Sequence, residues 1–141
     1  MGAGRGGDYG NIKNKVGRFV DNFLELVEEY QISKGGWFGT YSQSTVRHII
    51  SDDPMETMID FMSRIILHAE IKPLENGHGY MAIFSDGFRI TYRESSSTDG
   101  TPAVTIWTPN GKTGSDSTFE FEINGLTFRI RYQKIHFIPT K

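Results

Sequence analysis

The sequence predicts an α+β domain, with two N-terminal helices packed on an antiparallel sheet of about five strands. Three observations carry this expectation. Before residue 70, apolar residues recur at helical spacing in two stretches. After residue 79, apolar and polar residues alternate at a period of two. Turn residues separate the alternating runs, the strongest signal being Asn124-Gly125.

The chain opens with Met1 to Gly10, which holds five glycines and no periodicity and reads as a flexible linker. Residues 11–141 read as a single α+β domain by length. The first helix is expected from about Asn11 to Gln31, with Val16, Phe19, Val20, Phe23, Val27 and Tyr30 on one face. Gly35-Gly36 and Gly39 end it, and Trp37, Phe38 and Tyr41 lie in the loop that follows. Ser44 to Ile50 is short enough to be helix or strand. Asp53 is suited to cap a second helix, with Pro54 in its first turn and Glu56 completing a capping box. That helix should reach about Ala69.

The strands follow. Gly79 to Arg93 reads as a hairpin turning at Asp86-Gly87, which sets Ile83 opposite Ile90 and Met81 opposite Tyr92. Ala103 to Thr108 is a third strand. Phe119, Phe121 and Ile123 alternate with Glu120 and Glu122 before Asn124-Gly125, and Leu126, Phe128, Ile130 and Tyr132 resume the apolar face. A two-residue turn then pairs Ile123 with Leu126, Phe121 with Phe128 and Phe119 with Ile130, and puts Glu120 opposite Arg129. The returning strand is expected to run on to Ile138.

Composition limits the function. The chain contains no cysteine, so disulfides and thiolate metal sites are excluded. No apolar run approaches 18 residues, so membrane insertion is not expected. The glycine-rich, polar N-terminus does not read as a signal peptide. The net charge of −2 argues against a general nucleic-acid coat protein. The charge is uneven, however: residues 1–70 carry 7 basic and 10 acidic side chains, residues 71–141 carry 8 and 7.

Candidate chemistry concentrates near the C-terminus. Leu126 to Lys141 contains four cations, one histidine and no acid. Lys134 and His136 are two apart on a strand and share a face, as do Arg129, Arg131 and Gln133. A bulge near Gln133 would bring the two sets together. An imidazole beside a cation suits proton transfer and charge stabilisation on a phosphodiester. The simpler reading pairs Arg129 and Arg131 with Glu120 and Glu122 across the hairpin and leaves His136 as a packed side chain. Ser95, Ser96 and Ser97, with Tyr92 and Arg93, form a hydroxyl-rich turn that suits either phosphate binding or solvent. His48 lies before the second helix, whose N-terminus Asp52 and Asp53 already occupy. His68 and His78 lack metal-ligand spacing, so no metal and no other cofactor is expected.

Several runs together resemble a known family. They are Arg47-His48-Ile49-Ile50-Ser51-Asp52-Asp53-Pro54, Lys72 to Gly79, Ser85 to Val104, and Gln133-Lys134-Ile135-His136-Phe137. In this order, over residues 45–138, they resemble the C-terminal toxin domains of bacterial polymorphic toxins. Many such domains are similar to the barnase–EndoU–colicin–RelE class of metal-independent RNases. The resemblance implies RNA cleavage by 2′-OH attack and neutralisation by a cognate immunity protein. It also implies delivery into a target-cell cytoplasm as the C-terminal part of a larger protein, secreted or contact-dependent. It assigns catalysis to His136 and Lys134, with His48 as a partner. The family's serine-rich turn matches Ser95, Ser96 and Ser97 as substrate contacts, and the chemistry of the residues adds Arg131 beside Lys134 and Tyr92 beside the serines. The chain departs from the family after Ala103-Val104, where Thr105-Ile106-Trp107 stands in place of an acidic residue. The competing expectation is a non-catalytic binding module, such as an immunity-type or phage structural domain.

Overall fold

A computed structural model describes residues 16–75, 78–95, 100–114 and 117–140. Among these residues there are two helices, α1 (Phe19–Leu26) and α2 (Pro54–Ile65). The nine strands among them are β1 (Thr40–Gln43), β2 (Val46–Ser51), β3 (Glu70–Pro73), β4 (Tyr80–Ile83), β5 (Arg89–Arg93), β6 (Ala103–Trp107), β7 (Thr118–Ile123), β8 (Leu126–Arg131) and β9 (Gln133–Pro139). Seven form one sheet in the order β1-β2-β9-β6-β5-β4-β3, and β7 pairs with β8 as a separate ribbon. The large sheet is antiparallel except where β2 runs parallel to β9.

The α+β class and the mostly antiparallel sheet agree with expectation, but the sheet has seven strands rather than about five. The second helix also follows β1 and β2 instead of preceding the sheet. The stretch Ser44 to Ile50 is resolved in favour of strand. The added strands β1 and β3 are edges whose residues are nearly all exposed, so neither shows alternation.

α1 is shorter than the sequence suggested; residues 11–15 lie outside the described set. Phe19, Val20, Phe23 and Leu26 give it one buried face. Arg18 at its N-terminus makes no side-chain cap; the Asp86 carboxylate, in the distant β4–β5 turn, accepts the Val20 N–H at 3.2 Å. α2 begins as expected, with Asp53 accepting the Glu56 N–H at 3.1 Å and Pro54 in the first turn. It stops at Ile65 rather than Ala69, because His68 takes a left-handed φ of 64° and turns the chain into β3. Tyr30 ties α2 to the segment after α1 by donating to Asp60 at 2.6 Å.

The β4–β5 hairpin differs from the expected register by one residue. Ala82 faces Ile90 and Ile83 faces Arg89. The Phe84 N–H donates to the Phe88 carbonyl at 3.1 Å, leaving a three-residue loop, Ser85 to Gly87. Gly87 supplies the φ of 93° that such a loop needs at its last position. The slip moves side chains to the opposite face, so Ala82, Phe84, Phe88 and Ile90 enter the core.

The final hairpin has the expected pairs, with Asn124 and Gly125 at φ 52° and 81°. Its phenylalanine face closes over α1: Phe121 and Phe128 meet Phe23 edge-on at 5.9 and 6.3 Å, and Phe119 meets Phe88 at 5.1 Å. The returning strand does not continue unbroken to Ile138. It breaks at Tyr132, and β9 enters the large sheet. There the buried parity changes from the even position Ile130 to the odd positions Gln133, Ile135 and Phe137.

Candidate active site

Both described helices and the β7–β8 ribbon pack on one face of the large sheet. Phe61 of α2 meets Phe137 at 5.6 Å, and Phe19 of α1 stacks on Phe88 at 4.4 Å. The other face presents the opposite parity. Register places Thr40, His48, His136, Ala103 and Arg93 in one row across it. The adjacent row holds Val46, Lys134, Thr105, Thr91, Met81 and Lys72. A third row holds Trp107, Arg89, Ile83 and Glu70.

Charge separates across this sheet. The open face carries Lys134, Arg93, Arg89 and Lys72 from its strands, against Glu70. The helices on the other side carry Asp21, Glu25, Glu56 and Asp60 against Arg64. A net charge of −2 therefore coexists with a basic surface, and it is this local field that a polyanion meets.

The change of parity at Tyr132 is what brings Lys134 and His136 onto the open face. His48 and His136 are register partners on parallel strands, with ring centroids 6.3 Å apart. His136 is 6% exposed, and its Nδ1 lies 3.2 Å from the Thr101 hydroxyl. His48 is half-buried. Its strand is approached closely by Gly39, where a Cβ would run into the His48 carbonyl. Lys134 is exposed between Val46 and Thr105.

The other sequence candidates lie elsewhere. The Arg131 guanidinium sits over the Trp37 ring at 5.2 Å and donates to the Gly35 carbonyl. Arg47 lies over the same ring at 5.1 Å, and burial lowers its pKa. Tyr92 pairs with Val104 on the helix-bearing face and stacks on Tyr80 at 5.7 Å; burial pushes its hydroxyl pKa up. Ser95 donates to the Gly100 carbonyl at 3.3 Å. Tyr92 and Ser95 line a cavity of about 610 Å³ with Met58, Met62, Ile66 and Tyr80, on the side of the sheet opposite His48 and His136. Ser96 and Ser97 lie outside the described residues.

Sequence reasoning did not single out Thr101, Thr105, Arg89 or Trp107. Thr101 precedes β6 in an irregular segment, and nothing local shows that its hydroxyl reaches a histidine on another strand. Arg89, Thr105 and Trp107 are visible as outward positions only once the register is known. Among the described residues, no three His, Asp or Glu side chains gather as a metal site. No described helix is long and apolar enough to cross a membrane. Comparison of the chain with protein-family models, curated proteins and solved structures gives no match.

Proposed function

We infer that this domain is a metal-independent endoribonuclease, built around His48, His136 and Lys134. The observation that carries this reading is the pairing of two imidazoles on adjacent strands of an open, basic sheet face. One imidazole takes the proton from the ribose 2′-OH. The 2′ oxygen attacks phosphorus, and the bond from phosphorus to the 5′ oxygen breaks. The second imidazole, protonated, gives its proton to the departing 5′ oxygen. The products are a 2′,3′-cyclic phosphate and a 5′-hydroxyl, with no water or metal consumed. Lys134 stabilises the charge on the pentavalent phosphorus. Thr101 fixes the orientation of the His136 ring through Nδ1.

The sequence resemblance supports the biological setting. In that setting the domain is the C-terminal toxin of a larger secreted or contact-delivered protein, active in the target-cell cytoplasm and held in check by a cognate immunity protein. Binding without catalysis is favoured by one observation: His136 is 6% exposed and hydrogen-bonded, as a packed structural histidine is.

The deciding experiment incubates the purified chain with end-labelled RNA, with and without EDTA, beside His136→Ala and His48→Ala. Cleavage that survives EDTA and disappears in both variants, while circular dichroism stays unchanged, supports the nuclease. Intact RNA in every lane, from folded protein, leaves the binding module. Cleavage that requires added divalent ion overturns the mechanism.

A further inference from the structure

The open face extends well beyond the histidines. Along β6, Ala103 lies beside His136 and Trp107 lies four residues further on. At ~3.3 Å per residue that is about 13 Å. The Trp107 indole N–H donates to the Thr91 hydroxyl at 3.0 Å, which fixes the ring. The Arg89 guanidinium lies 5.7 Å from the ring centroid, and the Tyr132 ring lies 5.1 Å away. Thr105, Thr91 and Lys134 occupy the row between this cluster and the histidines.

We propose that Arg89, Thr91 and Trp107 form a nucleotide subsite separate from the catalytic pair, and that the face takes single-stranded RNA. The proposal rests on the nuclease reading for the identity of the strand, but its site is distinct. The Arg89 guanidinium lies over the Trp107 indole, and a guanidinium on an indole extends a planar stack onto which a base of any identity adds. Lys134, in the row between, binds a phosphate on the way to it, and Arg93 binds one in the histidine row. A duplex hides its base faces within its own stack and cannot use the indole in this manner. A strand with unpaired bases can cross the sheet from His136 to Trp107, and the charge of the face matches its backbone.

The probe is a 2′-O-methyl hexauridylate, which has no 2′-OH to attack and so reports binding alone. Trp37→Phe leaves Trp107 as the sole tryptophan, since the chain contains two. Binding followed by the anisotropy of a dye on the oligonucleotide should quench Trp107 emission. Arg89→Gln should weaken binding by about tenfold, within the ~1–3 kcal/mol range of one stacking contact. A 2′-O-methyl strand of about 20 nucleotides and mixed sequence, annealed to its complement, should bind more weakly than the same strand alone by a similar factor or more. If Trp37→Phe does not fold, the difference in emission between the unmodified chain and Trp107→Phe supplies the same readout.

Equal affinity for duplex and single strand overturns the proposal, as does bound oligonucleotide that leaves Trp107 emission unmoved. The two readings fail separately. RNA cleavage without quenching removes the subsite and leaves the nuclease. Quenching without cleavage of unmodified RNA removes the nuclease and leaves the subsite.

Discussion

The Gln133 side-chain oxygen accepts the Phe38 backbone N–H at 2.8 Å, across 95 positions of sequence. The amide nitrogen of the same side chain donates to the Gly36 carbonyl at 2.9 Å and the Arg131 carbonyl at 3.0 Å. Gln133 is fully buried where the chain leaves the β7–β8 ribbon and enters the large sheet. This one amide joins the loop before β1 to the start of β9. It therefore holds the change of parity that turns Lys134 and His136 outward.

Replacing Gln133 with Leu nearly preserves volume and removes all three bonds. A buried group left without a partner costs about 1–3 kcal/mol. Gln133→Leu should therefore lower unfolding free energy by at least about 2 kcal/mol in a urea titration. A loss within the ±0.5 kcal/mol of ordinary surface substitutions would mean that the loop is held by something else.

The same residue shows why the site was only partly legible. The period-two pattern from Phe119 to Tyr132 fixes the ribbon's register, and Asn124-Gly125 fixes its turn, so those pairs follow from sequence. Both signals are local. The break at Tyr132 depends on a loop nearly a hundred residues earlier, and no periodicity records that. The parallel pairing that sets His48 beside His136 is equally non-local. β1 and β3 were invisible because an exposed edge strand has no buried face to print an alternation. The slip at Ser85 to Gly87 has a subtler cause. Asp-Gly suits a two-residue turn, but burying Phe84 and Phe88 together requires three. Lys134 and His136 were readable as a pair sharing a face. Which face they share was decided by tertiary structure.

If the two histidines divide the proton transfers, the pH profile of kcat/KM should be bell-shaped. The limb rising from low pH reports deprotonation of the base, and the limb falling at high pH reports loss of the acid's proton. Removing the base should flatten the first limb, and removing the acid the second. His136→Ala and His48→Ala should each lower the rate by ~10²–10⁴-fold and remove opposite limbs. Thr101→Val should lower the rate less than His136→Ala does, since its hydroxyl touches that ring and only orients it. Two variants that lose the same limb would show that the pair does not share the work.

Acid sensitivity should trace in part to Asp60. Its carboxylate accepts from Tyr30 and from Arg64, and the Tyr30 contact is the larger cause of its lowered pKa. A depressed carboxylate stabilises the fold above its unfolded pKa of about 3.9. That contribution is lost as pH falls through the lower folded value. The hydroxyl of Tyr30 moves the other way, pushed up chiefly by burial and further by Asp60. Asp60→Asn should therefore reduce stability at pH 7 and flatten the fall in Tm below about pH 4. An unaltered slope of Tm against pH in the variant would assign acid unfolding to other groups.

On the proposed reading Lys134 is a functional cation and Arg129 a structural one. Arg129 lies directly across from Glu120, with its Nε donating at 2.8 Å, and both side chains are well exposed. Exposed pairs contribute about 0.2–1 kcal/mol, so Arg129→Ala should cost stability of that order and leave RNA cleavage intact. Lys134 stands on the basic face, next in its row to Thr105. A lysine that neutralises one phosphate of a single strand contributes about 0.7 to the slope of log K against log salt. Lys134→Ala should weaken RNA binding in low salt, reduce that slope by about this amount and slow cleavage. Both variants need measurement across at least a fourfold range of salt, because affinity at one ionic strength cannot distinguish a lost phosphate contact from a disturbed fold. A Lys134 variant that retains the full slope, with an Arg129 variant that loses it, would move the RNA from the large sheet to the ribbon.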